Sequence, residues 1–463
     1  MMKKFSKQNL RERRYLLRIA VCLTLVCIGV YFFVQAFVSE PVHENTLPSL
    51  HITSSWREGR SQEEMRFDWH PLEEVWITGA GAYDFGPVSG AEIRGRGNSS
   101  WWAFPERKQP FRIRFNEPNR HVSLLDSGHT ARHWTFIANH SDRSLMRNYS
   151  AYFLASQLDG MSYAPFARFV HVYENGEYRG VYMLCVQLSE VREGRIELTG
   201  SEDPALSEYL IEMCMRTSGE SGDEFFTVGG MHYEVHFPSN VSPEHNAYLH
   251  QFFTRIYHLL REGDPAVFDY IHLESFVDFM IVQDLYKNPD VHFSSMWMQL
   301  RGKGEERRLE MGPVWDFDIA AGNAYYQGQH YRGQVRMPPG VEYYPYGYSP
   351  YGPWVSLYAR WYRHLMEMPE FATALYERWS AVRDEQVQQT IDHIWHTAVT
   401  HQGDFERNFR RWGIMRDNIW PNPTHIRIIP DFMGHVEQLT DFLERRAGWL
   451  DEYYRNRALG AEY

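Results

Sequence analysis

The stretch Leu309-Glu310-Met311-Gly312-Pro313-Val314-Trp315-Asp316-Phe317-Asp318-Ile319 decides how the chain is read. With the two-residue period of a strand, Trp315, Phe317 and Ile319 fall on one face and Asp316 and Asp318 on the other. The apolar face can anchor in a core while both carboxylates enter a cleft. Two like charges so close repel, and each binds a proton more tightly than usual unless a counter-charge is present. A divalent cation such as Mg2+ or Ca2+, which takes oxygen ligands, would supply that charge. A half-exposed strand with two solvated aspartates is the simpler alternative. Gly312-Pro313 before the acids and Ala320-Ala321-Gly322-Asn323 after them suit a backbone placed tightly beside a ligand.

Upstream, residues 273–288 are apolar nearly all round (Phe276, Val277, Phe279, Met280, Ile281, Val282, Leu285), as in a core helix. Asn288-Pro289 ends that helix, because proline cannot continue it and restricts the residue before it. Asp290 therefore stands on a loop leaving a buried helix, where rigidly held catalytic groups often sit. Residues 296–300 read as a strand and 301–306 as a turn back to the opening stretch. On this reading the three acids Asp290, Asp316 and Asp318 converge.

The part before residue 205 is rich in strands. Ala91-Glu92-Ile93-Arg94 runs into Gly95-Arg96-Gly97-Asn98-Ser99-Ser100, a loop whose backbone N–H groups, hydroxyls and guanidinium donors Arg94 and Arg96 suit a phosphate. By itself the loop reads equally as a hairpin turn, and it lacks the Lys-Ser/Thr ending of a P-loop. Residues 108–115 alternate apolar and basic, with Lys108 at the strand entrance, within reach of the loop's ligand. Residues 134–137 read as a strand, and a helix is expected from the capping oxygens of Ser141-Asp142 to Gly160. Asn175-Gly176 predicts a tight hairpin between 169–173 and 178–188. From about 205 helices dominate, with one strand at 209–215 and helices near 244–262 and 273–288. Residues 321–356 are rich in Tyr, Gly and Pro and read as a long loop near the site. The rest, including 435–454 at helical spacing, reads as packing.

At 463 residues the chain can bury a large core as one two-lobed unit or two domains. Residues 1–18 hold seven Lys or Arg against Glu12 alone, so the remaining chain must carry −18 to give the overall −12. That balance argues against nucleic acid as the main partner. Residues 19–38, IAVCLTLVCIGVYFFVQAFV, are uncharged and long enough for one transmembrane helix. The basic residues before it predict a cytoplasmic N-terminus and an extracytoplasmic main domain; a cleaved signal peptide is the competing reading. Residues 39–70, polar and with Pro41 and Pro48, read as a stalk. Cys185 and Cys214 lie beyond the membrane run and are open to either one disulfide or two buried thiols.

Several of these pieces together resemble the spore coat protein H (CotH) family of atypical protein kinases. The matching stretches are 94–101 (RGRGNSSW), 108–115 (KQPFRIRF), 142–148 (DRSLMRN), 180–184 (GVYML), 287–290 (KNPD) and 312–318 (GPVWDFD). They keep the family's order and cover about 90–330, the last being the most specific. The resemblance implies an α+β, divergent two-lobed kinase-like fold, with an antiparallel-sheet N-lobe and a mainly helical C-lobe. It implies transfer of phosphate from ATP to serine of a protein substrate. Residue by residue, Asp290 would be the catalytic-loop aspartate, Asp316 the metal-binding aspartate with Asp318 as an auxiliary ligand, and Lys108 the nucleotide-phosphate lysine. Arg94, Arg96, Asn98 and Ser99 would complete the nucleotide side. Ser295 stands where the family commonly has a metal-holding Asn, and its hydroxyl would serve as the ligand. Gln187 stands where the family usually has Glu, and the acid that pairs with Lys108 is unassigned.

The expectation is therefore a membrane-anchored, Mg2+-dependent serine kinase. Its parts are a basic tail (1–18), an anchor (19–38), a stalk (39–70), an N-lobe (71–204), a C-lobe with catalytic loop and metal site (205–356) and a helical end (357–463). The main alternative is a non-catalytic surface or coat-assembly protein that keeps the fold as a binding module. A metal-dependent glycan-processing enzyme is a third reading, resting on acids and aromatics alone.

Overall fold

The computed structural model describes residues 45–104, 107–190, 196–214, 225–292, 294–325 and 349–461. The basic tail, the uncharged run 19–38, the start of the stalk and residues 326–348 of the Tyr/Gly/Pro-rich segment lie outside them. Among the described residues no helix is long and apolar enough to cross a membrane. Fourteen strands are described: β1 Ser49–Thr53, β2 His70–Leu72, β3 Glu74–Thr78, β4 Phe85–Val88, β5 Ala91–Gly95, β6 Phe111–Phe115, β7 His133–Ile137, β8 Arg168–Glu174, β9 Glu177–Val186, β10 Tyr209–Met213, β11 Phe225–Val228, β12 Met231–Phe237, β13 Met296–Arg301 and β14 Arg308–Met311. The helices of ten residues or more are α1 Arg147–Ser156, α2 Pro243–Glu262, α3 Leu273–Leu285, α4 Pro369–Val382, α5 Gln386–Thr400, α6 Gln402–Trp412 and α7 Phe432–Ala458. The architecture is α+β, with a large curled sheet followed by a helical C-terminal part.

The large sheet has the order β2-β5-β6-β7-β9-β8-β1-β3-β4. Its centre is the expected hairpin: Asn175 and Gly176 take φ of 52° and 79°, the geometry of a two-residue turn that matches strand twist, and β8 pairs antiparallel with β9. The sheet departs from a purely antiparallel plan at one place. β1 lies parallel to β8 and antiparallel to β3, with Leu50 and Ile52 buried. The stalk expected over 39–70 thus becomes part of the folded unit from Thr46 onward. Two buried apolar residues alternating with polar ones are enough for a central strand, and polar composition masked them. Trp56, also within that range, is buried and donates its indole N–H to Glu174.

Alternation along each strand gives the sheet an apolar layer on both sides. Ile93, Ile113, Trp134, Val170 and Leu184 join one core with Trp56 and Trp101. Phe169, Met183 and Cys185 join another with α1, α3 and the C-terminal helices. α3 is buried from Ser275 to Leu285, which is why it reads as apolar nearly all round. The second sheet has the order β11-β12-β10-β13-β14 and adjoins α3, since the Met311 N–H donates to Ser275 Oγ at 3.0 Å.

Cys185 and Cys214 form no disulfide, and Cys185 is buried. α1 begins at Arg147, six residues later than the Ser141 start expected from sequence. Asn139 and Leu145 take φ of 48° and 60°, and Asp142 caps a loop before the helix.

Candidate active site

The stretch that opened the analysis is a strand only as far as Met311. Beyond it the alternation survives without the strand: Trp315, Phe317 and Ile319 are buried, and Asp316 and Asp318 are half-buried. Asp316 takes φ of 69°, a left-handed conformation that strains a non-glycine residue. Its neighbours' backbone groups are met by side chains. The Phe317 N–H donates to Asn148 Oδ1 at 2.6 Å, and Asp316 O accepts from Asn288 Nδ2 at 3.2 Å. Trp315 stacks on Tyr152 of α1 with ring centroids 5.5 Å apart. A turn whose backbone is held in this way can present both carboxylates while its apolar side chains stay in the core.

Asp290 follows α3 as expected, in a short turn over Pro289–His292, and its N–H donates to Asn288 Oδ1 at 3.1 Å. The same Asn288 side chain therefore ties Asp290 to Asp316. Ser295 reaches the group as well: its hydroxyl donates to Asp316 Oδ2 at 3.3 Å, and its φ is 61°. Burial, then the charges of Asp316, Asp290 and Asp142, push the Asp318 carboxyl well above the usual carboxylate range, with Arg96 opposing. Asp290, Asp316 and Asp318 are thus close enough to feel one another.

The Gly-containing loop divides. Arg96 arrives at the acids, its guanidinium 5.7 Å from the Trp315 ring centroid. Arg94 turns away: it donates to Phe67 O at 3.2 Å and lies over Trp69. Arg94 leads along β5 while Arg96 lies in the loop beyond it, where the strand's alternation no longer fixes the side chain. Gly95 is needed because an added Cβ would come within 2.4 Å of the Trp101 ring. Asn98 O accepts from the N–H groups of Trp101 and Trp102, so Asn98 and Ser99 start a short helical turn rather than a hairpin.

Lys108 is not the surface lysine of a strand entrance. It is 1 % exposed, and its Nζ has no hydrogen-bond partner among the described residues. Burial holds its pKa well below the usual lysine range, and Asp142 pulls it back up. Nζ lies 5.0 Å from the centroid of the Tyr182 ring. Beside it, burial and the charges of Lys108, Arg107 and Arg143 lower His140 to about 3, so that imidazole is neutral. A buried, unsatisfied ammonium marks a place where an anion would be welcome. Gln187, by contrast, accepts from Thr135 Oγ1 at 3.0 Å and donates to Ser189, at the far end of β9.

Sequence reasoning missed three residues that organise the site. Asp142, fully buried, accepts from the N–H groups of Ser144 and Arg147 at 3.0 Å each and pairs with the Arg147 guanidinium. Arg147 also donates to the carbonyls of Ala320 and Ala321. Asn148, next to it, holds Phe317. The DRSLMRN stretch thus fixes the acidic turn from one side and faces Lys108 from the other. Its charged residues, followed by an Asn at a helix start, were the available signal.

The family model described as CotH kinase protein matches residues 93–450. No curated protein matches the chain.

Proposed function

The chain belongs to the CotH kinase family, and we propose that it transfers the γ-phosphate of ATP to a serine hydroxyl of a protein substrate in a Mg2+-dependent reaction. The observation that carries this reading is that one Asn288 side chain ties Asp290 to Asp316, with Ser295 on Asp316, Asp318 beside them and Arg96 over the neighbouring Trp315 ring. An all-oxygen acidic set fits Mg2+, and an unpartnered buried Lys108 fits a phosphate. Mg2+ bound there would neutralise charge on the phosphates. Asp316 holds the ion, with Asp318 and the Ser295 hydroxyl beside it. Lys108 and Arg96 hold the phosphates, with Asn98 and Ser99 at the loop's helical turn. Asp290 orients the serine hydroxyl and takes its proton as the new O–P bond forms and the bond to ADP breaks. Asp142 is the acid facing Lys108, held in place by its ion pair with Arg147.

On this reading the chain is a divergent two-lobed kinase, with Lys108 and the Arg96 loop next to strands of the large sheet and Asp290, Asp316 and Asp318 after residue 205. Residues 19–38 anchor the chain, with the N-terminus cytoplasmic and the main domain outside. A second reading, a coat-assembly binding module that has lost transfer, is favoured by Ser295, a weaker ligand than Asn already hydrogen-bonded within the chain. Calorimetry separates binding from its loss. Full-length protein should bind ATP with Mg2+ and much more weakly without it, and Asp316→Asn should remove that dependence. Equal ATP affinity with and without Mg2+ would contradict the metal assignment.

A further inference from the structure

Glu212, Glu234 and His236 form a second cluster outside the three aspartates. One ligand atom from each lies within 4.8 Å of the others, a spacing that one ion can bridge. β10 and β12 place Glu212 directly opposite Glu234, so both side chains leave the same face of the second sheet. Like charges so placed destabilise a sheet, and both are largely removed from solvent, with 16 % and 17 % of their side chains exposed. His236 Nε2 lies 3.0 Å from Glu212 and 3.9 Å from Glu234.

An independent observation points to a ligand on this face. Trp297 of β13 stands directly opposite Glu212 in register, so it projects from the same side. Its ring stacks on His236 with centroids 4.6 Å apart. Trp297 is 5 % exposed, yet its indole Nε1–H has no hydrogen-bond partner among the described residues. A buried donor beside two carboxylates and an imidazole calls for an oxygen that the described chain does not supply. A water or oxyanion on a cation held by Glu212, Glu234 and His236 would provide it.

We propose that Glu212, Glu234 and His236 bind a divalent transition-metal cation. Imidazole plus two carboxylates suits Mn2+ or Zn2+ better than Mg2+, which prefers oxygen alone. The site adjoins the acids through one residue, because the Ser295 N–H donates to Glu212 Oε1 at 3.2 Å while its hydroxyl meets Asp316. Filling it would therefore bear on Ser295 and Asp316. The site itself stands independently of phosphoryl transfer.

The test uses full-length protein without nucleotide and Mn2+ as the probe, followed by electron paramagnetic resonance. Wild type should take up Mn2+ and show coupling to an imidazole nitrogen. His236→Gln should lose that coupling and bind at least about tenfold more weakly, and Glu212→Gln and Glu234→Gln should weaken binding similarly. Asp316→Asn should keep the nitrogen signature. Should the variants fail to fold by circular dichroism, the wild-type spectrum decides alone. Absence of Mn2+ uptake, bound Mn2+ without nitrogen coupling, or an unchanged spectrum in a folded His236→Gln would each overturn the proposal. A protein that passes this test and never transfers phosphate would contradict only the kinase reading.

Discussion

Asp318 is held in a conflict that its own neighbours create. With its carboxyl pushed above the usual range, its ionised form costs the metal-free fold stability, and that cost grows as pH rises through the raised value. Asp318→Asn should therefore stabilise the metal-free protein near pH 8 by about 0.5–2 kcal/mol, read as a higher Tm, while weakening Mg2+-dependent ATP binding. A lower Tm would show that the charges are already compensated in the resting chain. Lys108 makes a parallel case. A buried ammonium without a partner is costly, and an apolar side chain of similar length removes the cost. Lys108→Met should keep or raise the Tm and lower ATP affinity; unchanged affinity would remove Lys108 from the nucleotide side. The sequence showed both residues but neither environment, because Lys108 meets Tyr182 on one distant segment and His140 and Asp142 on another.

The turn from Gly312 to Ala321 and the strand β1 show where sequence reading succeeds and where it stops. Buried and half-buried residues at 315–319 follow the two-residue alternation, yet no strand forms there. Partners from outside, Asn148 and Asn288, replace the ladder, and no local period announces them. Asn148→Ala leaves the Phe317 N–H buried without an acceptor, which costs about 1–3 kcal/mol, and should loosen the acidic turn. A drop in Tm together with weaker Mg2+-ATP binding is the expected result; a loss of stability alone would make Asn148 a packing residue. β1 was hidden for another reason. Its five residues sit in a polar, proline-bearing stretch, and only its parallel pairing with β8 and antiparallel pairing with β3 make it part of the core. The hairpin at Asn175-Gly176 was legible because both of its determinants are adjacent in sequence.

Across the whole molecule, Asp404 of α6 joins the two ends of the folded part. Its Oδ2 accepts from the Thr46 N–H, the Thr46 hydroxyl and the Leu47 N–H at 3.0, 2.6 and 3.1 Å, and Oδ1 meets His171 Nε2 of β8 at 2.9 Å. Burial pushes this carboxyl up, but the bonds from His171 and Thr46 outweigh it and hold it at about 2. Because the folded value is depressed, its contribution is present above the ordinary carboxylate range and lost as pH falls through about 2. Asp404→Asn should thus lower stability at pH 7 by roughly 2 kcal/mol, and the gap from wild type should close at pH 2–3. A gap that stays constant would mean the loss is steric rather than electrostatic. This tie places residues 46–47, within the stretch expected to be a stalk, against α6. The α+β layout and the Asn175-Gly176 hairpin were legible from the chain alone. The second cluster around His236 was not, since its members become neighbours only through the pairing of β10, β12 and β13.

The central claim is that Asp290 serves phosphoryl transfer rather than nucleotide binding. Incorporation of γ-labelled phosphate from Mg-ATP into serine, compared between full-length wild type and Asp290→Asn, tests it most directly. The account predicts measurable incorporation by wild type and a loss of about 10²–10⁴-fold in the variant, with ATP affinity nearly unchanged. Equal transfer by Asp290→Asn, or a wild type that binds Mg-ATP and never transfers phosphate, would contradict it.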